Sequence, residues 1–135
     1  MKVWHKFHNY WLRSPQQIPT YFLRFEDLVT RPEHSLCGLF KFLLNRESLS
    51  GLEIEARIKQ SVSAQTQVYK PRSGKINSNL QLYSAEMIEE ISAHCESTLR
   101  RFGYTEAVKG GELQEPEALE RFNEKMRQCA AKAAE

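Results

Sequence analysis

Pro19-Thr20-Tyr21-Phe22-Leu23-Arg24-Phe25 is followed without a break by Glu26-Asp27-Leu28-Val29-Thr30-Arg31-Pro32-Glu33. The first run is short, β-branched and aromatic, and predicts a strand. Its near-continuous apolarity suits a strand covered on both faces, as in a parallel sheet. Thr30-Arg31-Pro32-Glu33 has the form of a capping box with a proline in the first helical turn. The helix it opens carries Leu36, Leu39, Phe40, Leu43 and Leu44 along one face. No second run of this kind occurs, and a lone strand has no partner for its backbone groups, which counts against a self-sufficient α/β domain. The expectation is therefore a mainly helical chain with one or two short strands near Thr20–Phe25.

On the N-terminal side, Lys2 to Arg13 predicts an amphipathic helix. Val3, Trp4, Phe7 and Trp11 share a stripe, and Ser14-Pro15 ends it because proline disfavours a helical residue before it. That aromatic stripe suits docking on a larger body, or packing on the chain's own core. On the C-terminal side, Ile54, Ile58 and Val62 predict a helix from about Leu52 to Val62. Residues 63–83 are polar, with Pro71, Gly74 and several Ser, Asn and Gln, and read as a long loop. Ser84 caps the next helix, whose inward face holds Met87, Ile88, Ile91, Cys95, Leu99 and Phe102, with Gly103 as its stop. Gly110-Gly111 reads as a flexible joint, and Pro116 opens a last helix with Leu119, Phe122, Met126 and Ala130 on a narrow stripe. The division that follows is residues 1–104 as part of one domain and 105–135 as linker and tail helix.

The 135 residues carry a net charge of +2, with 41% hydrophobic and 27% charged side chains. This is a globular mixture without the basic field that nucleic acid would require. Residues 105–135 hold seven acidic and five basic side chains, which leaves +4 on the rest and suits a body that meets a small anion. Cys37, Cys95 and Cys129 form no C-x-x-C pair and suggest neither a disulfide framework nor a zinc site. Cys37 and Cys95 fall on apolar stripes and read as small core residues. No apolar run approaches the ~20 residues of a membrane span, and the N-terminus lacks the apolar core of a signal peptide.

Tyr69-Lys70-Pro71-Arg72-Ser73-Gly74-Lys75-Ile76-Asn77 gathers three cations, a hydroxyl and a glycine. Phosphate recognition uses this combination: cationic donors, a hydroxyl, and a glycine that admits backbone N–H groups. A solvated basic loop has the same composition, and a complete P-loop, G-x-x-x-x-G-K-[ST], is absent. His5, His8, His34 and His94 lack ligand spacing and read as structural or solvent-exposed. Glu26-Asp27 reads as a pair that ties down the turn before the capped helix by accepting backbone N–H bonds, rather than as an acid–base pair.

Taken in order, the Trp4–Trp11 helix, the segment TYFLRFEDLVTRPEHSLCGLFKFLL over Thr20–Leu44, Arg72-Ser73-Gly74, and Tyr83–Tyr104 ending in LRRFGY resemble the C-terminal part of the sulfotransferase family. The family typically shows R-[YF]-E-D-L, a gap, a proline and a helix ending in F-L; its loop often reads R-K-G, where this chain has Ser73. The resemblance implies a P-loop-like α/β fold and transfer of a sulfuryl group from 3'-phosphoadenylyl sulfate to an acceptor hydroxyl or amine of a small molecule or glycan. It assigns Arg72 and the Gly74 backbone, with Ser73 and Lys75 as helpers, to the 3'-phosphate of that cosubstrate or of adenosine 3',5'-bisphosphate. It also implies that the phosphosulfate loop and catalytic base precede Met1, so that this chain carries part of the nucleotide site, no catalytic residue, and no activity by itself. Cytosolic and Golgi members share these motifs, so the compartment stays open, with the cytoplasm preferred. The alternative class is a non-catalytic helical interaction module.

Overall fold

A computed structural model describes residues 2–13, 18–64, 77–114 and 117–133. Every regular element among them is helical: α1 (Lys2–Arg13), α2 (Phe25–Thr30), α3 (Pro32–Leu43), α4 (Glu53–Ser63), α5 (Ala85–Phe102) and α6 (Glu117–Ala133), with single 3-10 turns at Leu80–Leu82 and Ala107–Lys109. The elements divide into two compact units. One contains α1, α5 and most of α6, and the other contains α2, α3 and α4.

The expected α/β architecture with a strand near Thr20–Phe25 is overturned. Residues 19–24 have no regular secondary structure, and no strand occurs among the described residues. Arg24 is extended, with φ −79° and ψ 140°, but Phe25 already begins α2. β-propensity expresses how a side chain fits a pleated, half-buried surface, and such a surface exists only where a neighbouring strand lies within about 5 Å. The local sequence then favours a helix start. Glu26 and Asp27 lie in the first turn of α2, where carboxylates complement the positive end of the helix.

In the α2–α4 unit, Arg31 sits between α2 and α3, and Pro32 takes the first position of α3, where its missing N–H costs nothing. The capping box does not form: Arg31 is the N-cap, without a side-chain cap bond, and Thr30 Oγ1 donates to the Glu26 carbonyl. Among the described residues, Leu49 and Ile58 are the buried apolar residues of this unit. On α4 the pairs Arg57–Glu53 and Lys59–Glu55 each bridge one turn on the surface.

Gly38, in the middle of α3, has a spatial reason. A Cβ there would stand 2.5 Å from the Tyr21 hydroxyl, and the Tyr21 ring lies against Phe42 with centroids 5.2 Å apart. The glycine lets the segment before α2 lie along α3. An alanine in a helix interior is ordinarily favoured over glycine by about 1 kcal/mol. Gly38→Ala is expected to show that gain in urea denaturation in a Tyr21→Phe background, and to lose stability when the hydroxyl is present. Equal effects in both backgrounds would refute the contact.

In the other unit, α5 begins where expected: Ser84 Oγ accepts from the Met87 N–H at 3.3 Å. It ends at Gly103, whose φ of 73° is left-handed. The Gly103 N–H reaches the Arg100 carbonyl, and the Tyr104 N–H reaches back to Leu99, the paired closure of a Schellman end. Ile91, Cys95 and Leu99 form the buried stripe of α5, packed by Trp4, Tyr104 and Val108. Gly110-Gly111 is no loose joint, since both N–H groups close the Ala107–Lys109 turn by hydrogen bonds to the Ala107 and Glu106 carbonyls. On α6, Leu119, Asn123 and Met126 are buried at i, i+4 and i+7.

Helix α1 divides its aromatic residues in a way the stripe of Val3, Trp4, Phe7 and Trp11 does not anticipate. Trp4 and His8 pack on Phe102, with ring centroids at 6.3 Å and 5.1 Å, and Leu12 is buried. Val3 and Phe7 point outward instead. Residues advance by about 100° per step, so Trp4, His5, His8 and Leu12 form the inner face, with Val3 and Phe7 beyond its edge.

Candidate functional site

Arg72, Ser73, Gly74 and Lys75, the residues expected to meet a 3'-phosphate, lie outside the described residues. The chain is described up to Ala64, one residue past α4, and again from Asn77. Asn77 takes a left-handed φ of 62°, a conformation asparagine tolerates better than most residues. Its carbonyl accepts from the Leu80 N–H and starts the turn at Leu80–Leu82.

Within the described residues, the strongest electrostatic cluster is built on the R-F-E-D-L segment. The Arg24 guanidinium grips Asp27 through two parallel bonds, Nε to Oδ2 at 2.6 Å and a terminal nitrogen to Oδ1 at 2.7 Å. Arg31 adds a third bond to Oδ1 at 3.2 Å. The i, i+3 and i, i+4 spacings place all three on one side of the short helix α2. The Arg24 side chain is only 2% exposed, whereas that of Arg31 is 40% exposed. Burial by itself raises the Asp27 carboxyl. The hydrogen bonds and positive charge of Arg24 and then Arg31 outweigh that effect, and hold it below the usual aspartate range.

Asp27 thus ties down the turn before α3, with guanidinium groups as its partners in place of the backbone N–H groups expected. A carboxylate held ionised by two arginines is a poor general base, since its proton affinity has been spent on the ion pair. The pair was legible as an Arg-x-x-Asp spacing, but its burial was not.

The second cluster joins α1 to α5. His5 Nδ1 and Thr98 Oγ1 are 2.9 Å apart, and Asn9 Nδ2 stands 2.8 Å from His5 Nε2. With Asn9 donating, Nε2 is the acceptor and Nδ1–H donates to Thr98. Thr98 is almost wholly buried. His8 Nδ1–H donates to the Trp4 carbonyl at 2.8 Å, one turn earlier on the same helix. His94 makes the same kind of bond to Glu90. His5 and His8 are therefore packing residues that also satisfy hydrogen bonds. No feature of their local sequence identifies Thr98 as the partner of His5, because the two are 93 residues apart.

Cys95 is wholly buried in the α5 stripe and Cys37 is half-buried. Among the described residues no group of three His, Cys, Asp or Glu side chains is placed to hold a metal ion. No helix among them is long and apolar enough to cross a membrane. Compared with protein-family models, curated proteins and solved structures, the chain matches none.

Proposed function

We propose that this chain is the late part of a sulfotransferase that uses 3'-phosphoadenylyl sulfate, contributing Arg72 and Gly74, helped by Ser73 and Lys75, to the 3'-phosphate site. The observation that carries the reading is the order of R-F-E-D-L, Pro32, the helix ending Phe42-Leu43-Leu44, and then Arg72-Ser73-Gly74. The reading rests on these residues and not on a strand. In this reading the chain supplies part of the nucleotide site and no catalytic residue. The chain by itself then turns over no cosubstrate, because sulfuryl transfer needs alignment and charge stabilisation from both halves.

The test is calorimetry of adenosine 3',5'-bisphosphate with the chain fused to a phosphosulfate-binding half. A guanidinium grips phosphate through two parallel N–H bonds where an ammonium offers a point charge. Arg72→Ala is therefore expected to cost about 1.5–3 kcal/mol, roughly one to two decades in affinity, and Arg72→Lys to recover part of it. Equal losses at Lys70, Arg72 and Lys75 that fade with salt would reduce the site to diffuse charge attraction. No loss at any of them would leave a solvated loop.

A specific observation favours a second reading, a non-catalytic helical interaction module. On α1, Val3, Phe7 and Tyr10 are large apolar or aromatic side chains exposed on the outward side.

A further inference from the structure

The outer side of α1 combines three features. Val3, Phe7 and Tyr10, at i, i+4 and i+7, form one row, and they are 82%, 56% and 63% exposed. Trp11 flanks the row and meets both rings edge-on, Phe7 at 6.3 Å and Tyr10 at 5.4 Å. Phe7, Tyr10 and Trp11 make a continuous aromatic surface with Val3 in line, rather than scattered exposed side chains, which would need no explanation. Basic residues are the third feature. The helix sequence holds Lys2, Lys6 and Arg13 and no carboxylate, and the exposed Lys6 lies beside the apolar row. The opposite side is committed to α5 through Trp4, His5 and His8.

We infer that this face of α1 docks on an anionic lipid surface, lying in the plane of the headgroups. The inference rests on the second reading above and names its partner. Charge complementarity selects the partner: a helix with three cations and no carboxylate is drawn to a negatively charged leaflet. The side-chain chemistry agrees, because Trp and Tyr place an apolar ring and a polar edge together, as the membrane interface does. Lys6 beside the apolar row lets the rings enter the headgroup boundary while its ammonium stays at the phosphates. Each basic residue near such a surface strengthens binding roughly fivefold. The ring row adds an apolar component that salt does not screen.

The experiment is co-sedimentation of the whole chain with vesicles of phosphatidylcholine, with and without about one-third phosphatidylserine. Binding to the phosphatidylserine vesicles is expected at low salt, weaker at high salt, and much weaker to phosphatidylcholine alone. Phe7→Ser is expected to reduce partitioning on the order of tenfold, and Lys6→Glu at least roughly fivefold. Phe7 and Lys6 face outward, so both variants should keep the wild-type far-ultraviolet spectrum. Equal binding to both vesicles, or partitioning unchanged by Phe7→Ser, would overturn the inference. Absence of vesicle binding with concentration-dependent dimers that Phe7→Ser abolishes would assign the face to a second copy of the chain. The lipid inference would then fall while the interaction-module reading stands. Neither binding nor self-association would overturn the inference and remove the observation that favours that reading.

Discussion

Asp27→Ala is expected to destabilise the α2–α4 unit by about 3–5 kcal/mol, the usual cost of removing one partner from a buried ion pair. The substitution takes the carboxylate from an Arg24 guanidinium whose side chain is 2% exposed, so the charge remains buried after its counter-ion has gone. A helical unit of this size has little stability in reserve, and loss of its helical signal at moderate urea is the direct readout. Arg31→Ala should cost far less, under about 1 kcal/mol, because its side chain reaches solvent. The pH dependence has a definite sign. The folded carboxyl lies below its unfolded value of about 3.9, so its contribution is complete above that pH. It fades as the pH falls through the folded value. Asp27→Asn should flatten that acid limb. An unchanged acid limb in Asp27→Asn, or a loss below about 1 kcal/mol in Asp27→Ala, would show that the pair does not hold the unit together.

Phe102→Ala carries the second large effect, about 3–5 kcal/mol. Phe102 is buried at the last turn of α5, and it supports both rings through which α1 docks, His8 at 5.1 Å in an edge-on arrangement and Trp4 at 6.3 Å. Truncation leaves a void beneath two aromatic rings that cannot collapse without moving α1. Phe102→Leu fills most of that volume and should cost less than about 1.5 kcal/mol. Trp4 reports the event directly: its emission should shift to the red in Phe102→Ala as α1 lifts and water reaches the indole. A loss with no change in Trp4 emission would place the defect elsewhere in the unit and refute docking through this cluster.

Both predictions depend on contacts that differ in how far the sequence alone announces them. Arg24 and Asp27 are three residues apart on a helix, so their meeting is local. Phe102 falls on the predicted inward face of α5, but its partners Trp4 and His8 come from the other end of the chain. The candidate phosphate residues Arg72, Ser73, Gly74 and Lys75 are legible by composition and by resemblance, and they lie outside the described residues.

What the sequence determined by itself is information within one helical turn. Ser84 accepts from Met87 three residues on, Gly103 supplies the left-handed stop of α5, and Pro32 opens α3. Each is set by backbone chemistry that needs no distant partner. What the tertiary structure alone decided is which faces and segments found partners. Thr20–Phe25 has the side chains of a strand, yet a ladder needs a second strand to take its N–H and C=O groups, and among the described residues there is none. The α1 stripe divides between α5 and the outside because the face that α5 takes is centred on His5, His8 and Leu12, which leaves Val3 and Phe7 beyond its edge. The side that α5 took was settled by Thr98, Leu99 and Phe102, more than eighty residues away in sequence. Helical periodicity states that a face exists; what packs against it is a property of the folded chain.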